Sequence, residues 1–418
     1  MHTQRRYLVY GAMFVMMAIS YIDRVNLSVA TPTIAREFGL GPVGTGYALS
    51  SYLWTYLVFL VPVGIAVDRW GARAVGAGSL VVWSIGGALT GLTGGFGSLV
   101  ATRMVLGAGE AASYPVGGRA IQEWAPPEER GRAAAWLNSG AYAGLAVGAL
   151  VVGWLISEVG WRASFVVTGA AGVLVAAGWW ALYRRPSTPE APPTADVPEA
   201  LPARTALAGL LRRRSIWGLA LTQGCAGYTL YLFMTWLPSY LADTRDLDVV
   251  RSGAFTAVPY AVAVVLGLLL GRVSDVYLRR SSAGIDARRR LIAGCLLVSS
   301  VILATPLVSE TWVLLTLFSI ALTCVSTAMG LCLALTGDLL RDGRRAGVAI
   351  SCVIFGGNTF GLLAPIVTGY VLALSGSYSA AFVLAGVLLL SGAVTVLTLT
   401  RRPLDAPAAG TPRPRVAA

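Results

Sequence analysis

Lysine is missing altogether: all 32 basic residues among the 418 are arginine. Charge of any kind is scarce, at 12% of residues, where a soluble domain carries about 25%. Histidine occurs once, as His2 at the terminus, which excludes histidine catalysis and histidine metal ligation. The five cysteines (Cys225, Cys295, Cys324, Cys332, Cys352) sit in apolar runs without CxxC spacing. They are expected to be small buried hydrophobes, not disulfides or metal ligands. No nucleophile–base pair stands out, so an enzyme is not expected, and neither is a cofactor.

Long apolar runs fill the space that charge leaves. Hydrophobic residues make up 56% of the chain and the mean hydropathy is +0.69. The chain is therefore expected to be an all-α integral membrane protein. A span needs about 20 apolar residues. That ruler gives twelve transmembrane helices at roughly 7–30, 44–67, 74–93, 97–122, 131–157, 162–183, 215–241, 252–274, 290–308, 312–337, 345–373 and 378–400. Arg5 and Arg6 before the first run resemble the start of a signal peptide, but no clear cleavage site follows, so that run is expected to be a retained span.

The net charge of +12 invites a nucleic-acid reading. The arginines argue against it, because they cluster in short segments between apolar runs. With the N-terminus inside, inner loops and tails hold 26 of them, outer loops hold four (Arg36, Arg162, Arg245, Arg251), and spans hold two. This asymmetry predicts cytoplasmic termini. No nucleic-acid partner is expected.

The two halves echo each other. Gly64 and Asp68 of "GIAVDRWGARA" recur as Gly271 and Asp275 of "GRVSDVYLRRS", 207 residues on, and Phe165 matches Phe382, 217 residues on. The repeat predicts two pseudo-symmetric six-helix bundles, 1–183 and 215–400, around a central cavity opened by rocking. Residues 184–214, Pro-rich and bracketed by arginines, read as a cytoplasmic linker with a short surface helix before Arg212, and 401–418 as a disordered cytoplasmic tail.

Four ionisable residues fall within spans: Asp23 and Arg24 in span one ("YIDRVNLSVA"), and Arg103 and Glu110 in span four ("TRMVLGAGEAASYP"). Each costs about 2.5–3.5 kcal/mol at mid-bilayer unless it is paired or faces water. Helix rise puts Asp23 and Arg103 at comparable depths, roughly 12 and 9 Å below the outer surface, so the two can meet. Glu110 lies nearly two turns deeper on the same face as Arg103. Asp23 and Arg24 diverge by about 100°, so one can pair with span four while the other points into a wet cavity. A static ion-pair cluster and a proton-titratable anion site are both possible. The second is favoured, because ionisable residues inside a membrane usually mark a pathway.

Around them, Tyr21 shares a helix face with Arg24. Aromatics cluster in "SSYLWTYLVF" (Tyr52, Trp54, Tyr56) and "GYTLYLFMTWLPSY" (Tyr228, Tyr231, Trp236), with Tyr114 in span four. Each could serve packing as well as a site. Asn358, mid-span among glycines, suits either a cavity hydrogen bond or a helix–helix contact. In the loop motif Gly64, Asp68, Arg69, Gly71 and Arg73, the small Gly64 would allow close helix approach. Asp68 would pair with an arginine at a neighbouring helix end. The motif reads as a conformational latch, with Asp275 in its second copy, against the alternative that both are simply solvated loop charges.

Together these motifs resemble the major facilitator superfamily, and within it the anion:cation symporter family of organic-anion carriers. The family-specific stretches are "YIDRVNLSVA", "TRMVLGAGEAASYP", "WAPPEERGRA", "LNSGAYAGLAVG" and "GNTFGLLAPIVTG". The resemblance implies that Asp23 and Glu110 carry protons, that Arg24 engages a substrate carboxylate, and that Arg103 partners the acids. It also implies that Tyr21, Tyr56 and Asn358 line the substrate site. Two positions depart from the sugar-acid pattern, Ala141 where Gln is frequent and Leu333 where Trp is common. A polyol acid would find few hydroxyl partners there, which leaves a less hydroxylated or aromatic carboxylate open. The expectation is a monomeric bacterial plasma-membrane symporter importing an organic carboxylate with protons. The rivals are a proton-coupled drug or metabolite exporter, for which Arg24 is poorly suited, and a non-transporting receptor of the same fold.

Overall fold

The computed structural model describes residues 2–126, 129–184, 203–245, 247–280, 284–340 and 346–404. Most of the 184–214 linker and of the 401–418 tail lies outside them, as do the side chains of Asp275 and Arg279. The described chain is helical, with no strand: α1 (His2–Phe38), α2 (Pro42–Thr90), α3 (Phe96–Glu110), α4 (Ser113–Trp124), α5 (Arg130–Leu182), α6 (Ala203–Leu211), α7 (Arg214–Arg245), α8 (Val249–Arg280), α9 (Gly284–Ser299, continued by a 3₁₀ segment to Leu307), α10 (Thr311–Asp338), α11 (Ala346–Ser375) and α12 (Tyr378–Leu399).

Eight of these helices are long and apolar enough to cross a membrane. With 49 and 53 residues, α2 and α5 each hold two spans. They are divided at Gly71 (φ +80°, ψ 160°) and Gly160 (φ +80°, ψ 163°), a conformation that a Cβ forbids. Span four is α3 followed by α4, and α7 is span seven, which completes twelve. The second half turns on glycines at the matching places, Gly284 (φ +49°) before span nine and Gly376 (φ +65°) before span twelve. The short helix expected before Arg212 is α6.

Small residues let the helices of each bundle touch through their backbones. In the first, Gly140, Gly144 and Gly148 of α5 sit against Phe14, Ala18 and Ile22 of α1. In the second, Gly356 and Gly357 of α11 sit against Ala220 and Gln223 of α7. These are the corresponding helix pairs, one and five, then seven and eleven.

An even number of spans puts both ends of the described chain on one face, the terminal face; the other is the distal face. Two bonds at the distal face repeat between bundles. The Trp161 indole donates to Glu37 at 2.8 Å, and the Tyr378 hydroxyl donates to Asp243 at 2.6 Å. A third pairing repeats at the terminal face. Arg73 donates to the Trp180 carbonyl at 2.8 Å, and Arg289 donates to the carbonyls of Val396 and Leu397.

The bundles meet close to the distal face. A Cβ on Gly46 would lie 2.5 Å from the Pro365 carbonyl, and one on Gly369 would lie 2.5 Å from that of Pro42. These glycines mark the crossing of α2 and α11. Across the molecule, a Cβ on Gly253 would lie 2.5 Å from the Ala149 carbonyl, where α5 crosses α8. Towards the terminal face the same four helices expose Val61, Ile65, Trp136, Val273 and Phe355. The bundles are thus joined, backbone to backbone, towards the distal face.

Candidate functional site

The site lies where α1, the start of α2 and α3 converge. Gly107 of α3 would place a Cβ 1.9 Å from the Tyr52 carbonyl, and the Thr55 hydroxyl donates to the Met104 carbonyl at 2.6 Å. That contact brings the Arg103–Glu110 face of α3 against α1. The helix breaks just past Glu110, because Pro115 offers no N–H to Ala111. The turn tightens instead, Ala112 N–H reaching Gly109 at 3.3 Å, and the Ser113 hydroxyl caps the Glu110 carbonyl at 2.8 Å.

The four intramembrane charges meet, as their depths predict. Arg24 Nε donates to Glu110 Oε2 at 2.8 Å, and both side chains are buried. The Arg24 guanidinium lies over three phenol rings, Tyr21 at 4.5 Å, Tyr52 at 5.1 Å and Tyr56 at 5.4 Å. Such cation–π contacts suit a weakly hydrated guanidinium. Its two terminal nitrogens have no hydrogen-bond partner among the described residues, so Glu110 occupies only one edge of the fork.

Two expectations need correction. Arg103 does not pair with the Asp23 carboxylate; its Nη1 reaches the Asp23 backbone carbonyl at 3.4 Å. The Asp23 side chain points away, towards Gly87 of span three, and Oδ2 has no partner. The cause is the 100° step along the helix: with Arg24 turned to Glu110, the Asp23 side chain faces the inside of its own bundle. Nor do the charges line an open aqueous chamber. Asp23, Arg24, Arg103 and Glu110 are all at most 5% exposed. Tyrosine rings, apolar on their faces and polar at one tip, stand between them and water. Tyr114, at 38% exposed, and the half-buried Tyr21 form the rim.

Asn358 belongs to the second bundle, where its side-chain oxygen accepts from the Tyr231 hydroxyl at 3.2 Å. Tyr231 neighbours Arg24, Tyr21 and Tyr52 across the seam. Tyr52 and Tyr231 were legible only as members of aromatic clusters. The structure makes Tyr52 central, its ring lying between Arg24 and Arg103 (5.7 Å). The i, i+4 spacing of Tyr52 and Tyr56 puts both on one helix face, a usable signal.

The latch residues lie at the terminal face, remote from this cluster. Asp68 comes within 3.9 Å of Arg119 on α4, itself bound to Glu123 at 2.7 Å, and Glu123 accepts from Tyr183 at 2.9 Å. Arg73 stacks on Trp180 at 4.3 Å, while Arg69 lies 6.0 Å from its neighbour Trp70. Gly64 meets open space and supports no close helix approach. The side chain of Asp275 is outside the described residues.

Twelve spans in two equivalent bundles, meeting over a buried arginine–carboxylate pair, define a polytopic membrane carrier. The chain belongs to the Major Facilitator Superfamily, whose family model matches residues 13–285. It is a membrane transporter, not an enzyme. Among curated relatives, "Probable sulfoacetate transporter SauU" of Cupriavidus necator is 32% identical, covering 94% of this chain and 93% of that protein. "Probable L-galactonate transporter" of Escherichia coli is 30% identical, covering 94% and 89%. "Probable galactarate/D-glucarate transporter GudP" of the same species is 29% identical, covering 95% and 94%. Among solved structures, a bacterial homologue of the human lysosomal transporter Spinster, in an inward-facing and unoccupied conformation, superposes with a TM-score of 0.80 at 19% identity, covering 96% and 98%. That likeness concerns the fold.

Proposed function

We propose that the protein is a bacterial plasma-membrane symporter that imports a small organic anion, a carboxylate in the first instance, together with protons. One observation carries this reading: a buried arginine, held by Glu110 at one nitrogen, keeps both terminal nitrogens uncommitted at the seam between bundles. That fork matches a carboxylate or sulfonate in geometry and charge. A cationic or neutral drug gains nothing from it. The printed names of the relatives, which cover sugar acids and sulfoacetate, share small anions as the common element.

Arginine bias assigns the terminal face to the cytoplasm, and both termini with it. In this reading the distally joined conformation is the inward-open one, and transport alternates between it and an outward-open state. Asp23, Arg24, Arg103 and Glu110 sum to zero charge when ionised. An arriving anion competes with Glu110 for Arg24 and leaves an excess negative charge in a low-dielectric place. A proton on Glu110 removes that excess and frees the guanidinium. Asp23, with an unpartnered oxygen, is the second proton carrier. Tyr21, Tyr56 and Asn358 flank the anion, and Arg103 holds Asp23's segment in place. Asp68, Arg69 and Arg73 latch the terminal ends. At positions 141 and 333 the side chains, Ala and Leu, offer no hydrogen-bonding group to a hydroxylated cargo.

The test is uptake into proteoliposomes under an inward proton gradient, with galactonate, glucarate, sulfoacetate and an aromatic carboxylate as cargo. Asp23→Asn should abolish gradient-driven accumulation yet retain anion exchange. Accumulation at the wild-type level in that variant would refute the coupling role.

A further inference from the structure

The terminal face is not evenly charged. In the first bundle three arginines find acids: Arg6 and Arg132 share Glu129, and Arg119 binds Glu123 and Asp68. In the second bundle one corner has no such partners. The Ser215 hydroxyl donates to the Arg402 carbonyl at 2.7 Å and to that of Leu399 at 3.2 Å, which fixes the start of α7 beside the end of α12. Arg289 reaches Thr400 at 3.1 Å and brings the start of α9 to the same place. Arg212, Arg214, Arg290, Arg401 and Arg402 are thereby gathered in one corner, all exposed, and none forms an ion pair among the described residues. Among the described residues, the acids of α9 and α10 are taken, Asp286 by Arg289 and Asp338 by Arg288.

Beside this corner lies an apolar shelf. Trp217 is 52% exposed, and its indole N–H is fixed by the Leu211 carbonyl at 2.8 Å. Leu207 and Leu211 of α6 are exposed next to it, while Leu210 anchors the helix inward. Indole beside guanidinium at a membrane surface is the arrangement that holds a lipid at headgroup level. Five unpaired arginines ask for phosphate, which they bind bidentately.

We propose that this corner, formed by the α6–α7 junction and the ends of α9 and α12, is a binding site for the head group of an anionic phospholipid. The arginines hold the phosphate, and Trp217 with the α6 leucines receives the upper acyl chain. The site is independent of the cargo and of proton coupling. It ties the second bundle to the leaflet.

Native mass spectrometry of the purified full-length protein, titrated with phosphatidylglycerol or phosphatidylcholine, tests this. Wild type should bind phosphatidylglycerol about tenfold more tightly, a difference of about 1.4 kcal/mol. Arg212→Gln/Arg214→Gln/Arg402→Gln should bring the two lipids level. A control in the first bundle, Arg5→Gln/Arg184→Gln, should keep the preference, and unchanged thermal unfolding would show that both variants are folded. Equal binding of the two lipids by wild type, or an undiminished preference in the triple variant, would overturn the proposal. So would displacement of the lipid by excess inorganic phosphate, which would assign the corner to a soluble anion.

Discussion

The two bundles share a scaffold and differ in charge. Each turns on a left-handed glycine at matching places, each closes its distal end with an acid–aromatic bond, and each ties its terminal end with an arginine on a helix-end carbonyl. Yet Asp23, Arg24, Arg103 and Glu110 all belong to the first bundle, and the only buried charge described in the second is Arg289, at its edge. Packing features survive duplication because any bundle needs them. A buried charge costs several kcal/mol, and packing alone does not require it. The first bundle carries the electrostatics, while the second brings hydrogen-bonding groups, Tyr231 and Asn358, to the same seam.

The sharpest way to break this comparison is at Arg24. Arg24→Ala leaves Glu110 charged and unpaired, at a cost of about 3–5 kcal/mol. Anion binding by calorimetry should fall below detection. Arg24→Lys keeps the charge without the fork and should weaken binding on the order of 100-fold. Ser319→Ala, in span ten of the second bundle, should change binding by less than about twofold, within the range of neutral substitutions. A large loss at Ser319 would mean the bundles divide the work more evenly.

Smaller effects probe the scaffold. Gly46→Leu collides with the Pro365 backbone and should bias the protein away from distal closure, read as longer spin-label distances across that face. Gly64→Ala, in open space, should leave those distances unchanged. Arg289→Ala strips donors from buried carbonyls and should cost about 1–3 kcal/mol in thermal unfolding. Arg73→Ala, half-exposed, should cost less than about 1 kcal/mol. Equal losses would show that the terminal ties are equivalent despite their different burial. Least of all, Tyr52→Phe keeps the ring between the guanidiniums and should alter KM only slightly, while Tyr52→Leu should forfeit about 0.5–2 kcal/mol of cation–π attraction.

Much of this was legible before the structure. Twelve spans follow from apolar length, and Asp23, Arg24, Arg103 and Glu110 stand out because charge in an apolar run is expensive. Depth alone also brought Arg103 to Asp23. Rotation was not legible: one residue's step decides whether Asp23 or Arg24 faces Glu110, and apolar sequence on all sides of α1 gives no phase. The Arg73 and Arg289 ties were hidden among other loop arginines, since repeat matching by identity aligned Asp68 with Asp275 and passed over them. Gly64 has open space around it, so the close helix approach expected there is not made in this conformation.

The distal seal is made largely of bare main chain, carbonyl against glycine, at two crossings on opposite sides of the molecule. Such contacts involve no ion pair, so their hold should be indifferent to salt and acidity at that face. A single methyl group at Gly46 or Gly253 would then loosen the join between the bundles while leaving the Arg24–Glu110 pair untouched.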